Sequence, residues 1–512
     1  MALSRRTRII LWIAASVLVA LSATVTVLVV RFQPVAREYV LSALKQRYKS
    51  DVELGNLQIS LFPLVRATGD NLVLRVPGRK DLPPLIEIRR FVLEARFIGF
   101  FRYPKRIRQL KLEGLQIHIP PKSARSRPQG SGAPNVPFIL EDITADGTTL
   151  QTLPSDPSKA PLTFNIRQLH LHTVGKNVPM NFQTVLENAK PSGLIHSTGQ
   201  FGPWNQDDPG STPVSGSYTF RDADLSVFKG ISGTLASDGT YRGELDRIEV
   251  NGTTDTPDFS LDIADHPVRL RTSFAATVDG TNGDTDLHPV HALLGDSAFD
   301  VSGSIARNAA GTHKEIDLKA SARKTGLDDF LRLAVKSPRP PMTGTIAFNT
   351  TVKIPPGDKP VIDRIQLDGR FTLNRIRFTS ADVQQKIASL SHHAKGEPKE
   401  TSTRDVTADF TGDFHLRNGD LALPQLGFQV PGADVNLHGQ YGLRSGELDF
   451  QGTAKLDAKI SEMTTGVKSV FLKAVDPLFA RDGAGAVLPI TIGGTRGSPS
   501  FHLDIGRVLS RK

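Results

Sequence analysis

The amino-acid sequence predicts a mainly β protein, in which an N-terminal transmembrane helix precedes an elongated antiparallel β-sheet with a few short helices. Three observations lead to this prediction. An uncharged apolar run lies within the first 30 residues, apolar and polar residues alternate in many later segments, and the 512 residues include 44 glycines and 34 prolines. Period-two alternation is typical of strands that are buried on one face, and abundant glycine and proline indicate many turns.

The apolar run extends from Ile9 to Val30, 22 residues without a charged side chain. As a helix it would measure about 33 Å, enough to cross the ~30 Å hydrocarbon core of a bilayer. Three arginines precede it and no acidic residue occurs in the first 30, so the N-terminus is expected to be cytoplasmic. We predict a signal anchor at 1–31, with the remainder of the chain exported.

A cleaved signal peptide is the alternative interpretation of this segment. Ala20, Leu21 and Ser22 form a passable small-residue cleavage site. A signal core, however, usually has only ~7–15 apolar residues, and this run continues to Val30. The bulk of the chain is exported under either interpretation.

The absence of cysteine excludes disulfides, thiolate metal sites and thiol nucleophiles. At this length a single compact core is not expected, so we predict two or more domains or one elongated stack.

The positive charge is concentrated in one window. Residues 79–111 contain ten basic and three acidic residues, a net charge of +7, whereas the whole chain carries +10. No recognised nucleic-acid-binding module accompanies the window, so no nucleic-acid partner is predicted. A basic band near the anchor could contact anionic lipid headgroups at ~1 kcal/mol per residue, or could be a solvated strand face. The candidates for membrane-surface contact are Arg89, Arg90, Arg102, Lys105, Arg106 and Arg108.

After the anchor, residues 34–49 are predicted to form a short amphipathic helix, and alternating strand segments follow. In one of them Gly114 shifts the phase of the alternation, as a bulge or turn would. A curl of the sheet would bring the apolar residues of these segments into one trough. The candidates for its lining are Leu57, Ile59, Leu61, Leu72, Leu74, Val76, Leu110, Leu112 and Ile117.

The alternation of apolar and polar residues, the polar breaks between alternating segments and the helical patterns together predict the domain organisation. Short helices are expected at 288–294, 327–336, 382–393 and 461–475. The predicted parts are an anchor at 1–31, a membrane-proximal helix and first β segment at 32–121, a flexible linker at 122–137, a β module at 138–300, a mixed α/β segment at 301–405 and a C-terminal β module at 406–512.

Two distant segments resemble each other. Residues 252–263 and 494–505 are identical at seven of 12 positions. Each is predicted to contain a turn, a proline that directs the next strand, and alternating Phe, Leu and Ile on one face. They indicate either two copies of a larger β module or convergence on a common hairpin pattern.

Enzyme signatures are absent from the sequence. It contains no Gly-x-Ser-x-Gly elbow, no phosphate-binding loop and no His-Glu-x-x-His. The best metal candidates are His170 with His172 and His288 with His291, but each pair offers two ligands without an evident third. We interpret them as partly exposed histidines, and we expect no enzymatic activity, no cofactor and no metal site.

The apolar face of such a sheet has to be covered, either by a second sheet or by a curl of the same sheet. A curled sheet would present a trough that suits acyl chains, at ~0.8 kcal/mol for each buried methylene. An ordinary sandwich core would show the same alternation, so the pattern alone leaves both architectures open.

Six segments carry a resemblance to a known family: DVELGNLQISLFP at 51–63, GISGTL at 230–235, DGTNGD at 279–284, LDAKIS at 456–461, KSVFLKAVDP at 468–477 and ITIGGT at 490–495. With these segments and the N-terminal anchor, the chain resembles the AsmA family, and more distantly the TamB and chorein-type bridge-like lipid-transfer proteins. The family has no catalytic residues that could be transferred to this sequence.

The resemblance implies a single-pass protein of the bacterial inner membrane, with a cytoplasmic N-terminus and a periplasmic body. Its elongated, curled antiparallel β-sheet would form a groove that binds or conducts phospholipid and so supports outer-membrane lipid homeostasis and assembly. The implied partners are the membrane, phospholipid, and outer-membrane or periplasmic assembly proteins. The alternative function is a non-enzymatic scaffold or regulator of outer-membrane protein assembly, which would use exposed strand edges to bind its clients.

Overall fold

The computed structural model describes a large part of the chain after residue 50. The described residues are 38, 51–60, 64–75, 83–96, 105–119, 138–152, 162–175, 178–203, 205, 208–264, 266–280, 282–307, 314–337, 339–400, 402, 406–459, 461–463, 485–495 and 498–503. The predicted anchor and linker lie outside them, as does the predicted helix at 34–49 apart from Glu38. Among the described residues, no helix has the length and apolarity needed to span a membrane.

The structure is mainly β, as predicted. The strands are β1 (Asp51–Glu53), β2 (Leu57–Ser60), β3 (Val65–Arg75), β4 (Ile86–Ala95), β5 (Lys105–Ile119), β6 (Phe138–Thr152), β7 (Leu162–Gly175), β8 (Met180–Ala189), β9 (Ser192–Phe201), β10 (Pro213–Asp224), β11 (Ile231–Ser232), β12 (Thr234–Glu244), β13 (Arg247–Thr256), β14 (Ser260–Leu261), β15 (Leu270–Val278), β16 (Thr285–Leu294), β17 (Ser297–Arg307), β18 (Lys314–Gly326), β19 (Met342–Ile354), β20 (Gln366–Phe378), β21 (Ala408–Arg417), β22 (Asp420–Val430), β23 (Ala433–Gly442), β24 (Leu448–Leu456), β25 (Ala486–Thr495) and β26 (Ser498–Leu503).

Twenty-four of these strands form one sheet, and β11 pairs with β14 in a separate two-stranded sheet. Along the large sheet, neighbours in sequence are mostly antiparallel neighbours in space, which confirms the predicted antiparallel architecture. The exception among the described pairings is β5 with β6, which run parallel. The sheet is open at β26, which pairs with β25 alone among the described strands.

Three short α-helices lie between the described strands: α1 (Asp328–Ala334), α2 (Val361–Arg364) and α3 (Ala381–Ala394). Single 3-10 turns occur at Pro209–Ser211 and Leu225–Val227. The predicted helices at 327–336 and 382–393 correspond to α1 and α3. At α3 the side chain of Ser380 accepts a hydrogen bond from the Val383 N–H, a capping contact that favours the start of the helix there.

The predicted helix at 288–294 is wrong, because these residues belong to β16. Val290, Ala292 and Leu294 are buried on one face while His291 is exposed, which is a period of two. Strands β15 and β17 pair with β16 on its two sides and form hydrogen bonds with its backbone N–H and C=O groups. Of the predicted helix at 461–475, the described residues 461–463 form a turn, and the remainder lies outside the described residues.

The chain divides into two compact units. Unit 1 comprises residues 1–219 with 242–244, and unit 2 comprises residues 220–241 with 245–512. In unit 2 the main core follows the strand register, because directly opposed residues share a face of a sheet. One continuous row of it consists of Ile346, Leu373, Phe410, Phe428, Val435, Ala454 and Leu488.

Helices α1 and α3 pack against this core of unit 2. Leu331 of α1 and Leu390 of α3 are among the partly buried residues in contact with it. Hydrogen bonds help to hold α3 in place; among them, the Ser391 hydroxyl donates to the Pro431 carbonyl at 2.6 Å, and the Ala458 N–H donates to the Ala394 carbonyl at 2.7 Å. These helices therefore supply cover for part of the apolar face of unit 2.

Phenylalanine opposite glycine is a recurrent cross-strand pair on the apolar face of the sheet. The pairs are Phe91 with Gly69, Phe182 with Gly199, Phe274 with Gly252, Phe371 with Gly412, Phe414 with Gly369 and Phe450 with Gly439. A methyl group at Gly69 would collide with the Phe91 ring, so the ring lies over the bare backbone. Such pairs allow local bending of a strand while the ring restores the missing apolar cover.

The two similar segments do not form the same structure. At 494–505, Thr495 of β25 opposes Ser498 of β26 in a hairpin. At 252–263, β14 instead leaves β13 and pairs with β11. The reason lies in packing, because Phe259 and Leu261 contact a small core formed with Leu333 of α1. The shared sequence pattern therefore forms a hairpin in the second segment and a different pairing in the first.

Candidate functional site

The candidate site is the apolar face of strands β3 to β9 in unit 1, referred to below as the unit 1 face. Residues opposed in the strand register align there in four rows across the sheet, which also take in residues of β1 and β2 on the far side of β3. From β3 to β9 the rows are Leu74, Ile86, Ile117 and Leu150; Leu72, Ile88, Leu115, Ile166, Leu186 and Ile195; Phe91, Leu112, Ala145 and Leu169; and Leu93, Leu110, Ile143, Leu171 and Phe182.

A line of left-handed residues keeps the rows on one face. Asn71, Gly114 and Gly147 have φ angles of 52°, 64° and 65°, and they occupy equivalent positions in β3, β5 and β6. Glycine and asparagine adopt this conformation most readily. Before Gly114 the inward residues of β5 are Leu110 and Leu112, and after it they are Leu115 and Ile117, so the predicted phase shift is confirmed.

The structure brings together seven of the nine residues predicted to line a trough. Five of them, Leu72, Leu74, Leu110, Leu112 and Ile117, belong to the four rows. The other two extend the rows onto β2, where Leu57 opposes Gly69 and Ile59 opposes Ala67. Leu61 and Val76 lie outside the described residues.

The unit 1 face is half-buried. Ile88, Leu115 and Ala145 form its buried centre, and Phe91, Leu112, Ile117 and other members pack around them while remaining partly accessible. Helices α1 to α3 belong to unit 2, and β1 to β9 all belong to one sheet. Among the described residues, the hydrophobic cluster at the centre of this face consists of strand residues.

Polar side chains interrupt two of the rows: Thr184 of β8 and Ser197 of β9 continue the row of Leu169, and Thr148 of β6 lies in the row of Ile166. Thr148 pairs with Ile166, is 1% exposed, and its hydroxyl has no hydrogen-bond partner among the described residues. Apart from these three, the row members described here carry no polar side-chain atom. The face therefore offers mainly apolar contact, and its few hydroxyl groups lie on β6, β8 and β9.

The opposite face of unit 1 is charged. Arg66 of β3 opposes Glu94 of β4 and binds it at 2.6 Å. Arg167 of β7 forms an ion pair with Glu187 of β8, and the hydrogen bond from Arg167 lowers the pKa of that carboxyl. These ion pairs make the opposite face polar, so the apolar contact surface of these strands is the unit 1 face.

The described candidates for membrane-surface contact are separated by the register. Arg90 of β4 opposes Glu113 of β5, whereas Arg108 lies five residues before Glu113, about 17 Å along the strand. Arg89 is exposed beside Arg90, and Arg106 lies 3.6 Å from Glu141. Lys105 begins β5, and Arg102 lies outside the described residues. Among the described residues of the window, these candidates thus form two separate groups.

Sequence reasoning missed one residue next to His170 and His172. Asp142 lies on β6 directly opposite His172, and the three side chains place their ligand atoms within 4.8 Å of one another. The sequence did indicate that β6 and β7 could pair, because they are consecutive segments of alternating apolar and polar residues. Only their register, however, decides which carboxylate meets the histidines.

Comparisons of the chain with protein-family models, with curated proteins and with solved structures found no match.

Proposed function

We propose that this chain binds phospholipid, holding the acyl chains on the unit 1 face of a sheet that curls into an elongated groove. The observation that carries the proposal is the alignment of apolar residues in four rows across the sheet from β3, of which three extend to β7 or beyond and one reaches Ile195 of β9. The resemblance to the AsmA family supports the same function. It supports as well an inner-membrane anchor, a periplasmic body, and a role in outer-membrane lipid homeostasis and assembly that needs no enzymatic activity.

The dimensions of the unit 1 face suit acyl chains. Seven strands at ~4.8 Å spacing give a width of about 29 Å. One leaflet of a bilayer contributes about half of a ~30 Å hydrocarbon core, so its chains extend ~15 Å. Each methylene removed from water contributes ~0.8 kcal/mol. A chain crossing several rows would therefore bind through many weak contacts with Leu, Ile and Phe side chains.

The chemistry of the two faces favours a lipid over a polar ligand. A peptide or a sugar would leave its hydrogen-bonding groups unpaired against the unit 1 face, at a cost of several kcal/mol in total. Acyl chains carry no such groups, and their headgroups can remain in water beside the charged face. The phenylalanine–glycine pairs support the curl, because glycine is where strands bend sharply.

The test is to count the phospholipid bound to the purified full-length chain. The protein is washed extensively in detergent, and the retained lipid is extracted and quantified by mass spectrometry. We expect at least one phospholipid per chain, with mixed acyl lengths because the face selects by apolarity. A folded chain that retains no phospholipid would favour the scaffold function instead.

A further inference from the structure

We propose that Asp142, His170 and His172 form a binding site for a divalent transition metal, with Zn²⁺ the best match to their chemistry. This site is independent of the proposed lipid function and lies on the opposite face of the same strands. Two imidazoles and one carboxylate are the ligands that Zn²⁺ uses in three-ligand sites with an open position. Among the described residues, this is the one group of His, Asp and Glu whose geometry could hold a metal.

The strand geometry explains how the three side chains converge. His170 and His172 are two residues apart on β7, so they project from the same face. Leu169 and Leu171 project into the unit 1 face, which places both histidines on the outer face. Asp142 of β6 opposes His172, and its carboxylate lies 2.5 Å from His172 Nδ1. The two imidazole rings have centroids 4.4 Å apart.

A bound ion requires only a small adjustment of these side chains. With ligand bonds of ~2.0–2.2 Å, tetrahedral ligand atoms are about 3.3 Å apart. The present separations, from 2.5 Å to no more than 4.8 Å, lie on both sides of that value. His172 and Asp142 have 38% and 39% of their side-chain surface exposed, so both can rotate. Water or an anionic oxygen would complete the coordination.

The neighbouring strands present polar groups to the same region. On β8, Gln183 opposes His170 and Asn181 opposes His172. On β5, Lys111 opposes Thr144, and Thr144 of β6 pairs with His170. The positive charge of Lys111 weakens metal binding. Glu113 of β5 opposes Asp146 of β6 in an adjacent row, and these carboxylates offset the lysine.

The alternative is that Asp142 and His172 form only a surface ion pair. Among the described residues, two other cross-strand pairs have that form. His291 lies 2.6 Å from Asp300, and His415 lies 2.7 Å from Asp368, which Arg417 shares. Neither belongs to a three-ligand group among the described residues. They are therefore matched controls for a histidine–aspartate pair without a second histidine.

The test is calorimetric titration of the full-length chain with ZnCl₂, together with the visible absorption of the Co²⁺ form. We expect one site with micromolar affinity and Co²⁺ bands typical of nitrogen and oxygen ligands. H170Q, H172Q and D142N should each weaken Zn²⁺ binding at this site at least about ten-fold, because each removes one of three ligands. H291Q should leave the site unchanged.

Thermal unfolding separates loss of the site from loss of the fold. Zn²⁺ should raise the Tm of the wild-type chain and of H291Q, but not that of H170Q or D142N, because only a ligand bound to the folded state stabilises it. Without metal, the four variants should melt close to the wild-type chain. The proposal is overturned if the wild-type chain binds no Zn²⁺ at millimolar concentration, or if H170Q and D142N bind it as tightly as the wild-type chain.

Discussion

Replacing Gly452 with alanine is expected to destabilise unit 2 by about 3 kcal/mol, at the upper end of the range for overpacked substitutions. Gly452 of β24 opposes Leu437 of β23 and Ile490 of β25 on the apolar face. An added methyl group there would overlap the backbone carbonyl of Asn436. Backbone atoms cannot rotate aside as a side chain does, so β23 and β24 would have to move apart and break their register.

Gly493 provides the matched control for this substitution. It lies in the adjacent strand β25, and a methyl group there would meet only ordinary contacts, at 3.5 Å from Ser500 Oγ and 3.8 Å from the Leu448 carbonyl. G493A should therefore change the free energy of unfolding by less than about 0.5 kcal/mol. Urea unfolding, with hydrogen exchange read on peptides from β23 and β24, measures both variants. Equal stability of G452A and G493A would contradict the close strand approach described here.

Replacing Ile117 with aspartate is expected to reduce retained phospholipid about ten-fold. Ile117 lies in a row between Ile86 and Leu150, is half-buried and is accessible from the unit 1 face. A carboxylate there would remove contact with about two acyl methylenes, at ~0.8 kcal/mol each. That loss exceeds the ~1.4 kcal/mol that corresponds to a factor of ten. Lipid extraction and mass spectrometry of the full-length variant measure the change.

The control for Ile117→Asp is Gln116→Asp on the same strand. Gln116 is exposed on the charged face, and the substitution adds the same single negative charge one residue away. Q116D should retain phospholipid at the wild-type level, and circular dichroism should show that both variants remain folded. Equal lipid loss in the two variants would mean that charge on the protein, and not the apolar face, governs retention.

Alternation predicted the strands well because one face of nearly every strand is apolar and the other is polar. The same pattern placed Leu72, Leu74, Leu110, Leu112 and Ile117 together, since residues at even spacing in paired strands share a face. The phase shift at Gly114 was predictable, because a glycine lies there between two stretches of alternating apolar and polar residues. Helices α1 and α3 were predictable because their apolar residues recur at helical spacing over two or more turns.

Pairing between strands could not be predicted from local patterns. Nothing in the alternation of β5 and β6 shows that they run parallel, since that depends on the path of the chain between them. The convergence of Asp142 with His170 and His172 depends on the register of β6 against β7. The helix prediction at 288–294 was wrong for a related reason. The apolar residues of so short a segment fit a helical turn and a strand equally well until the neighbouring strands are known.

Photo-crosslinking from the two faces of β5 tests the central claim most directly. A photoactivatable amino acid replaces Leu112 on the unit 1 face or Lys111 on the opposite face, in the full-length chain within membranes labelled with radioactive phosphate. We predict a labelled lipid adduct after irradiation at position 112 and none at position 111. Absence of an adduct at 112, or equal adducts at both positions, would contradict phospholipid binding on the unit 1 face.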